Sequence, residues 1–335
     1  MAGKTVTIVV GGQFGSEAKG KVISFLSGEF DMAVRTGAPN AGHTVYHNDK
    51  MYKLQQIPAT FPNPACQLYI GAGALIDPEI LARETRETKT SARLFIDLKA
   101  GILEPRHGQA EGELVKNIGS TGKGCGAALI DRINRGSFKL ARDMLQDYNL
   151  VDTAAGINAG LDAGKTLLVE GTQGFGLSLY HGDYPYVTSR DTTAANFLAE
   201  AGLSPLAVKD IILVIRTCPI RVAGNSGPLP QETTWEALSK KAGKDLIERT
   251  TVTNKIRRVA AFDDTLVKKA IAANRPTQIA LQFLNYIFPD DENKSVWDDL
   301  SRAARDYIGA MEKNLSVPVT LIGTGVDNAA MIDRR

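Results

Sequence analysis

Residues 6–22 read VTIVVGGQFGSEAKGKV and decide the fold of this 335-residue chain. The stretch belongs to a short apolar run, Lys4 to Val10, that is typical of a buried parallel strand. Glycines follow this run, and Lys19 to Leu26 then has the pattern of a helix. A strand, a glycine turn and a helix in this order indicate the first unit of an α/β fold.

The glycine turn matches most of a phosphate-binding loop. Gly15, four residues, Gly20 and Lys21 fit the first seven positions of a P-loop, in which backbone amides and a helix N-terminus hold phosphates. The eighth position differs, because Val22 replaces the Ser or Thr hydroxyl that binds Mg²⁺. The pattern therefore argues against an ordinary P-loop NTPase. The alternative for this motif alone is a strand-to-helix turn whose glycines serve only the backbone geometry.

The alternation of strands and helices continues along the chain. Predicted strands cover Met32 to Arg35, Leu68 to Gly71, Arg93 to Ile96, Thr166 to Glu170, Ile211 to Arg216, Gln278 to Leu284 and Pro318 to Ile322. Predicted helices cover Pro78 to Thr88 with Asp77 as N-cap, Phe138 to Asp147, Asp152 to Ala163, Thr192 to Ala201, Thr265 to Asn274 and Ser295 to Leu315. A hairpin around Asn48-Asp49 is also predicted.

The absence of linkers and repeats from this pattern predicts the domain organisation. We expect residues 1–335 to form a single large α/β domain. Its mainly parallel central sheet would have helices on both faces, a P-loop-like N-terminal turn and inserted loops.

The composition excludes several classes of protein. Hydrophobic residues make up 43% and charged residues 23%, which is unlike disordered or fibrous chains. A net charge of +2 argues against a protein that lives on nucleic acid or on a membrane surface. Cys66, Cys125 and Cys218 are too scattered for a disulfide framework or a CxxC pair, so a reduced, cytoplasmic compartment is predicted. No stretch approaches the roughly 18 apolar residues of a membrane span.

Three further glycine-containing loops carry polar side chains. Residues 38–44 read APNAGHT and place His43 beside a glycine and an amide, residues 118–124 read IGSTGKG, and residues 169–174 read VEGTQG. A histidine can donate or accept a proton near neutral pH, although a single histidine is more often structural. Together with the first glycine loop, these loops predict a site for polyphosphates.

In these loops the sequence resembles the adenylosuccinate synthetase family, whose motifs are QWGDEGKGK, NAGH, GTTGRG, EGAQG and YPYVTS. The corresponding residues here read QFGSEAKGK from Gln13, NAGH from Asn40, GSTGKG from Gly119, EGTQG from Glu170 and YPYVTS from Tyr184. The order is the same, and the match extends from Val6 to Thr324. The resemblance implies a ligase that couples L-aspartate to the 6-oxo group of a purine nucleotide. In that family a nucleoside triphosphate phosphorylates O6, and the aspartate amine then displaces the phosphate.

The resemblance also implies roles for individual residues. Ser16, Lys19, His43 and Gln173 would be catalytic, with His43 as the acid and electrophile near the transferred phosphoryl group. The expected ATP-binding residues are Gly15, Ser16, Glu17, Ala18, Lys19, Gly20, Lys21, Gly42, His43, Thr44, Arg257, Gln282, Asn285, Gly323, Thr324 and Gly325. The expected residues for the acceptor nucleotide are Ser16, Asn40, Ala41, Ser120, Thr121, Arg135, Gln173, Thr188, Val222 and Lys255. Aspartate would bind Thr251, Val252, Thr253, Asn254 and Arg257, and Mg²⁺ would bind Ser16 and the Gly42 carbonyl.

Two of these implications concern charge. Arg135 would reach the acceptor phosphate in a neighbouring copy of the chain, which implies a homodimer.

Residues 249–258, which include the aspartate loop, contain four basic side chains and no acid. Cations and hydroxyls suit a dicarboxylate substrate. The alternatives are a solvated face or a small nucleic-acid patch, and the near-zero net charge argues against the patch.

Three positions depart from the family's motifs. Ser16 replaces an aspartate that takes the N1 proton of the 6-oxopurine, and the smaller hydroxyl leaves room beside C2, where guanine has an amino group. Asn285 stands where the family's TKLD motif has a carboxylate that pairs with guanine, and an amide can pair with adenine. Lys255 replaces an arginine that reaches the ribose 2'-hydroxyl, which suits a deoxyribonucleotide. Simple inactivation is the alternative for Ser16, and a strand end in the core is the alternative for residues 281–285.

These departures predict a ligase that uses ATP, dGMP and L-aspartate, with Mg²⁺ on the donor phosphates. Its product would be the N6-succino derivative of 2-amino-2'-deoxyadenylate, which the bacteriophage branch of the family makes for 2-aminoadenine DNA. A phage-encoded protein would work in the host cytoplasm. Two alternatives stay open: a short archaeal-type synthetase that uses IMP and GTP, and a non-catalytic purine nucleotide sensor. The expected partners are small molecules and a second copy of the chain, without direct contact with nucleic acid or a membrane.

Overall fold

The computed structural model describes residues 5–249 and 255–335. Its strands are β1 Val6–Gly11, β2 Met32–Arg35, β3 His43–His47, β4 Lys50–Leu54, β5 Gln67–Ile70, β6 Leu75–Ile76, β7 Leu94–Asp97, β8 Gly101–Ile102, β9 Asn149–Val151, β10 Leu167–Glu170, β11 Val208–Arg216, β12 Ile220–Arg221, β13 Glu232–Thr233, β14 Arg258–Ala260, β15 Gln278–Gln282, β16 Val319–Gly323 and β17 Met331–Asp333. Its α-helices are α1 Lys19–Leu26, α2 Pro78–Thr88, α3 Pro105–Ala110, α4 Gly112–Ile118, α5 Cys125–Asn134, α6 Ala141–Met144, α7 Thr153–Asp162, α8 Ala194–Ala201, α9 Trp235–Ala242, α10 Asp264–Asn274 and α11 Arg302–Leu315.

One ten-stranded sheet forms the centre of the molecule. Its strand order is β17-β16-β15-β11-β1-β10-β2-β5-β7-β9. All neighbouring pairs are parallel except β16 and β17 at one edge. The predicted α/β fold with a mainly parallel sheet is therefore confirmed.

Helices cover both faces of this sheet because its strands are apolar on both sides. In β1, Ile8 belongs to one hydrophobic cluster and the next residue, Val9, belongs to the other. The cluster with Ile8 contains buried residues of α7, α8, α10 and α11, whereas the cluster with Val9 contains residues of α1, α2 and α6. Each fully buried Ile or Val side chain contributes about 1.5–3 kcal/mol to folding, which makes the central strands rigid supports for the loops that follow them.

Local sequence signals placed several elements well. Helices α1 and α2 have their predicted bounds, and the Asp77 carboxylate caps α2 by accepting from the backbone N–H groups of Glu79 and Ile80. The predicted hairpin joins β3 to β4 through Asn48 and Asp49, both with positive φ. Positive φ at both central residues is the geometry that a two-residue hairpin needs.

Two predicted helices are shorter than expected. The helix predicted from Phe138 to Asp147 covers only Ala141–Met144, because the backbone at Lys139 and Leu140 pairs with β8 instead. The helix predicted from Ser295 begins at Arg302, where the Ser301 hydroxyl caps it by accepting from the Ala304 N–H.

The sequence interpretation missed elements whose partners are distant in the chain. Strand β9 pairs with β7 at the sheet edge, and β12, β14 and β13 form a separate antiparallel sheet. Helices α3, α4, α5 and α9 were also missed. Within the described residues, Cys66, Cys125 and Cys218 are buried thiols without disulfides. In that same part of the chain, none of the helices has the length and apolar character needed to cross a membrane.

Helix α1 packs so closely on β3 that a glycine is required between them. A β-carbon at Gly20 would lie 2.8 Å from both the Cβ of His43 and the carbonyl oxygen of Thr44. Gly20→Ala is therefore expected to lower the free energy of unfolding by about 1–3 kcal/mol, as measured by urea denaturation. Gly309→Ala in α11 is the control, because a β-carbon there meets nothing within 4 Å and alanine favours a helix by about 1 kcal/mol. Equal effects of both substitutions would contradict the packing argument.

Candidate active site

Three of the central strands end in a charged residue. Strand β2 ends in Arg35, β10 in Glu170 and β11 in Arg216, and all three side chains are buried. In a parallel sheet the carboxyl ends of the strands lie on one edge, and ligands bind in the crevice outside that edge. The glycine loop after β1 lies between β10 and β11 and opens onto the same edge.

A buried cluster of Arg35, His43 and Glu170 lies at this edge. One carboxylate oxygen of Glu170 is 2.6 Å from Nδ1 of His43 and is also ion-paired with Arg35. The other carboxylate oxygen accepts from the Ala59 N–H at 2.7 Å. Arg35 donates in addition to the carbonyl oxygen of Ala41 at 2.8 Å. These contacts hold the loop of residues 38–44 against β10.

The cluster determines how the imidazole of His43 is presented. A carboxylate only accepts hydrogen bonds, so we assign the imidazole proton to Nδ1, which donates it to Glu170. The opposite nitrogen, Nε2, is buried and has no hydrogen-bond partner among the described residues. Burial lowers the pKa of His43 to about 4, and the nearby cations Arg35 and Lys19 add to the effect while Glu170 opposes it. An anionic group placed at Nε2 would favour the charged imidazole.

The glycine loop is shaped by a second buried carboxylate. Glu17 accepts from the backbone N–H groups of Gln13 and Gly15, at 3.1 and 2.8 Å, and is ion-paired with Lys19 at 2.6 Å. On either side of Glu17, Ser16 and Ala18 have φ of 57° and 65° in the left-handed region. Glu17 thus fixes a loop in which the Ser16 side chain is exposed.

The two lysines of the glycine loop bind protein atoms in this structure. Lys19 donates to the backbone carbonyl of Gln173 as well as to Glu17, which joins the first glycine loop to the loop of residues 169–174. Lys21 donates to the carbonyl oxygens of Gly325 and Ala330, at 2.6 and 2.8 Å. Burial lowers the pKa of Lys21 to about 7. Helix α1 is thereby tied to the turn that contains Gly323, Thr324 and Gly325.

Four of the segments that carry residues predicted for the acceptor nucleotide meet in two pairs. The Asn40 amide donates to the Thr188 hydroxyl at 3.4 Å, so the NAGH and YPYVTS loops meet. A β-carbon on Gly119 would lie 3.6 Å from Val222, which brings the loop of Ser120 and Thr121 beside the turn after β12. The roles of these residues stay predictions.

Arg135 lies apart from the other predicted residues. It is exposed at the C-terminal end of α5 with a φ of 58°, and its backbone N–H donates to the carbonyl of Arg132. None of the contacts described for residues 5–249 and 255–335 joins Arg135 to the glycine loops. Its contact with an acceptor nucleotide in a second copy of the chain stays a prediction.

Residues predicted for the donor base lie together at the ends of β15 and β16. Gln282 is buried so close to Gly323 that a β-carbon on Gly323 would overlap its side-chain oxygen. The Thr324 hydroxyl donates to the Lys294 carbonyl at 2.6 Å. The Asn285 amide donates to Glu292 at 2.8 Å, which occupies one donor and leaves its carbonyl oxygen as an acceptor.

The predicted aspartate loop is described only in part. Thr251, Val252, Thr253 and Asn254 lie outside the described residues. Arg257 is partly buried, and its backbone N–H donates to the carbonyl of Glu248 at 2.9 Å. Lys255 is exposed.

Sequence reasoning missed the structural importance of Arg35, Arg216 and Glu248. Arg216 is ion-paired with Glu248 and donates to the Ser16 carbonyl at 2.9 Å. A signal for the two arginines was present, since each closes an apolar strand in the sequences MAVR and VKDIILVIR. A charge at the end of a buried parallel strand marks the edge where ligands bind. Glu248 follows no strand, and no comparable signal marked it.

Comparison with known proteins gives the family. A family model described as adenylosuccinate synthetase matches residues 8–150 and 137–288. The chain belongs to the adenylosuccinate synthetase family. It is 42% identical to the adenylosuccinate synthetase of Methanocaldococcus jannaschii, with 99% of this chain and 97% of that protein covered. The adenylosuccinate synthetase of Pyrococcus horikoshii is 41% identical, with 98% of each chain covered.

Solved structures of the adenylosuccinate synthetase family have the same fold. One is the succinoaminodeoxyadenylate synthetase of cyanophage S-2L, bound to dGMP and to dATP as an energy donor. It is 29% identical, with a TM-score of 0.85 over 99% of this chain and 96% of that one. The fully ligated adenylosuccinate synthetase of Plasmodium falciparum is 24% identical, with a TM-score of 0.85 over 99% and 100% of the two chains, and it supports the fold alone. The protein is therefore a ligase that forms a carbon–nitrogen bond and consumes a nucleoside triphosphate to do so.

The role of Glu170 can be tested by Glu170→Gln. The substitution removes the negative charge between Arg35 and His43, so we expect a loss of about 3 kcal/mol in the free energy of unfolding. It also releases the imidazole, so kcat should fall about 100-fold or more. The matched control is Asp97→Asn at the end of β7, where the buried carboxylate accepts from the N–H and hydroxyl of Thr153. That variant should lose stability with little change in kcat. A similar loss of kcat in both variants would contradict a specific role for Glu170.

The low pKa of His43 predicts how stability depends on pH. In the folded protein this pKa is about 4, against 6.5 for an unperturbed histidine, so the unfolded chain binds more protons between these values. Stability contributed by neutral His43 is thus complete above the unfolded pKa and is lost as the pH falls. Between about pH 7 and about pH 5.5, the nucleotide-free wild type should lose about 1 kcal/mol more unfolding free energy than His43→Asn. Urea denaturation at both pH values measures this difference, and equal losses would show that His43 titrates normally.

Proposed function

We propose that the protein couples L-aspartate to C6 of dGMP at the expense of ATP. The products would be ADP, phosphate and N6-succino-2-amino-2'-deoxyadenylate, a precursor of 2-aminoadenine in DNA. The observation that carries this proposal is Ser16 in the glycine loop. The cyanophage relative, which was solved with dGMP, supports the same substrate class.

Ser16 matters because its loop is rigid while its side chain is open to solvent. The loop shape is fixed by Glu17 and by the contact of the Ser16 carbonyl with Arg216. In the family pattern this position has an aspartate that faces N1 of the base. A serine hydroxyl is smaller and uncharged, so it leaves room for the 2-amino group of guanine. Because a free serine hydroxyl is a weak base at neutral pH, its proposed role is to orient or relay the N1 proton.

The proposed chemistry has two steps. In the first step the γ-phosphoryl group of ATP passes to O6 of dGMP, and ADP leaves. His43 would face the transferred group through Nε2, while Glu170 keeps the other nitrogen paired. In the second step the aspartate nitrogen attacks C6, and phosphate leaves with O6. Gln173 would hold the acceptor base, and its backbone carbonyl is tied to the glycine loop because it accepts from Lys19.

The donor assignment to ATP rests on Gln282 and Asn285. Both side chains are amides at the end of β15, where the family pattern has a guanine-reading carboxylate. The carbonyl oxygen of Asn285 remains available to accept from the adenine amino group.

Mg²⁺ is the metal that the family implies. Among the residues that the structure describes, there is no group of three His, Cys, Asp or Glu side chains that could hold a metal. The available ligands are neutral oxygens, the Ser16 hydroxyl and the Gly42 carbonyl, which are both exposed. Such a set fits an Mg²⁺ ion that is bound mainly by nucleotide phosphates. When bound, the ion would neutralise phosphate charge during transfer.

A second candidate function is that of an ordinary adenylosuccinate synthetase acting on IMP with GTP. The curated relatives favour this candidate over the first, because those at 41–42% identity are named adenylosuccinate synthetase. Overall identity averages over the whole chain, whereas the choice of base depends on a few side chains such as Ser16 and Asn285. The two candidates therefore require a direct test.

We also propose that the protein acts as a homodimer through the α5 region. Ile130 and Ile133 of this helix are apolar and 62% and 72% exposed, and Arg135 follows directly. Apolar side chains exposed on one helix are typical of a surface that another chain covers. The site would then receive Arg135 from the second copy.

Turnover with defined nucleotides tests the substrate assignment. The purified protein should release phosphate with ATP, L-aspartate and dGMP, and replacing dGMP by IMP should lower kcat/KM about 100-fold, as expected when a site distinguishes substrates by well-placed polar contacts. Product is measured by liquid chromatography and mass spectrometry. Turnover of IMP with GTP, together with none of dGMP, would establish the second candidate instead.

Substitution of Ser16 tests the reason for that preference. Ser16→Asp should lower kcat/KM for dGMP about tenfold or more and raise it for IMP, because the carboxylate fills the space beside C2 and restores a base for N1. Ser16→Asn is the matched control, since it adds the same volume without the charge. A gain with IMP in Ser16→Asp without any loss with dGMP would contradict the proposed role of Ser16.

A further inference from the structure

The guanidinium group of Arg216 lies where three loops of the candidate site meet. Arg216 is the last residue of β11 and is fully buried. It donates to the Ser16 carbonyl at 2.9 Å, pairs with the Glu248 carboxylate, and lies 3.9 Å from the centre of the Phe283 ring. One rigid group therefore contacts the glycine loop, the segment before the aspartate loop and the donor-base segment.

Glu248 connects the guanidinium of Arg216 to Arg257, a residue of the predicted aspartate loop, through its side chain and its backbone. Its side chain is paired with Arg216 and accepts from the Tyr286 hydroxyl at 3.0 Å. Its backbone carbonyl accepts from the N–H of Arg257 at 2.9 Å. Glu248 and Arg257 lie on either side of residues 250–254 in the sequence, so a shift of Arg216 would move both of these described residues.

Phe283 connects the same group to the donor site. Its φ of 62° is unusual for a bulky residue, and its backbone carbonyl accepts from the Thr217 hydroxyl at 2.6 Å. In the sequence, Phe283 lies between Gln282 and Asn285, the two amide residues that are proposed to bind the donor base. The guanidinium stacks on this ring, so a change in the ring position is transmitted to Arg216.

We propose that Arg216 is a positioning residue that couples the binding of the triphosphate, the acceptor nucleotide and aspartate. The proposal rests on the proposed function in one respect, the assignment of the three loops to these three substrates. A guanidinium is planar and presents its donors in a fixed fork, so its contacts with Ser16 and Glu248 shift together. Binding of one substrate thereby prepares the loops for the other two.

A purely structural role for Arg216 predicts a different result. In that case Arg216 only neutralises the partly buried Glu248, and substitution lowers stability without changing the relation between substrates. The two roles separate in Arg216→Lys, which keeps the positive charge beside Glu248 but loses the fork and the stacking on Phe283.

The experiment measures binding and turnover in wild type, Arg216→Lys and a control. The control is Arg93→Lys, because Arg93 donates to the carbonyls of Phe61 and Cys66, away from the candidate site. Titration calorimetry gives the affinity for a non-hydrolysable triphosphate analogue with and without the acceptor nucleotide. Steady-state kinetics gives KM for aspartate at saturating nucleotides.

In the wild type, we expect the acceptor nucleotide to strengthen analogue binding about tenfold, a common size for coupling between sites. Arg216→Lys should reduce this factor to about one and raise KM for aspartate about tenfold, with a smaller change in kcat. Arg93→Lys should change neither value. Unchanged coupling and KM in Arg216→Lys, or an equal loss in both variants, would overturn the proposal. Glu248→Gln provides a second variant if Arg216→Lys does not fold, with the same expected and contradicting results.

The choice of nucleotides keeps this test separate from the substrate assignment. All measurements use the acceptor and donor pair that the wild type turns over, whether dGMP with ATP or IMP with GTP. Failure of the substrate proposal appears in the wild type itself. Failure of the Arg216 proposal appears only in the comparison between wild type and Arg216→Lys.

Discussion

The buried carboxylate of Glu170 is the constraint on which the site depends. An unpaired carboxylate in the interior is unfavourable by several kcal/mol, so every contact that Glu170 accepts is enforced. These contacts come from Arg35, His43 and the Ala59 backbone, three points that are distant in the sequence. The arrangement fixes the loop after β2 on the end of β10 and leaves buried Nε2 of His43 without a partner among the described residues. The position of the imidazole and the choice of the nitrogen that carries its proton thus follow from Glu170, whereas burial lowers its pKa.

The same principle recurs along the sheet edge. Buried Glu17 with Lys19, and buried Arg216 with the partly buried Glu248, are further ion pairs at this edge, and each contacts the glycine loop after β1. The two members of each pair neutralise each other's charge, which is consistent with a net charge of only +2 for the chain. In the proposed site, attraction for phosphates would arise from backbone amides, from the N-terminal end of α1 and from a few cations at the edge. An overall basic surface is unnecessary for this function.

Local signals predicted the elements whose geometry is encoded locally. The β1–α1 unit, the Asp77 cap and the Asn48-Asp49 hairpin depend on residues within a few positions of one another. The glycine loops were predicted from the same kind of local signal, and the roles of their residues stay predictions. Strand β9 and the β12–β14–β13 sheet depend on partners far along the chain, and their short segments carry little periodicity. The importance of Arg216 and Glu248 appears only once the fold brings the end of β11 beside Glu248, Ser16 and Phe283. The family was recognisable from the sequence, but the substrate still depends on a few side chains.

The destination of the 6-oxygen of the purine is the most direct test of the proposed two-step reaction. In that reaction O6 first receives a phosphoryl group, and the aspartate amine then displaces the resulting phosphate. The protein is incubated with ATP, L-aspartate and dGMP labelled with ¹⁸O at the 6-position, and the released phosphate is analysed by mass spectrometry. We expect each released phosphate to carry one ¹⁸O atom and the succino product to have lost its label. Unlabelled phosphate alongside intact labelled dGMP would contradict it, because water would then be the acceptor of the phosphoryl group.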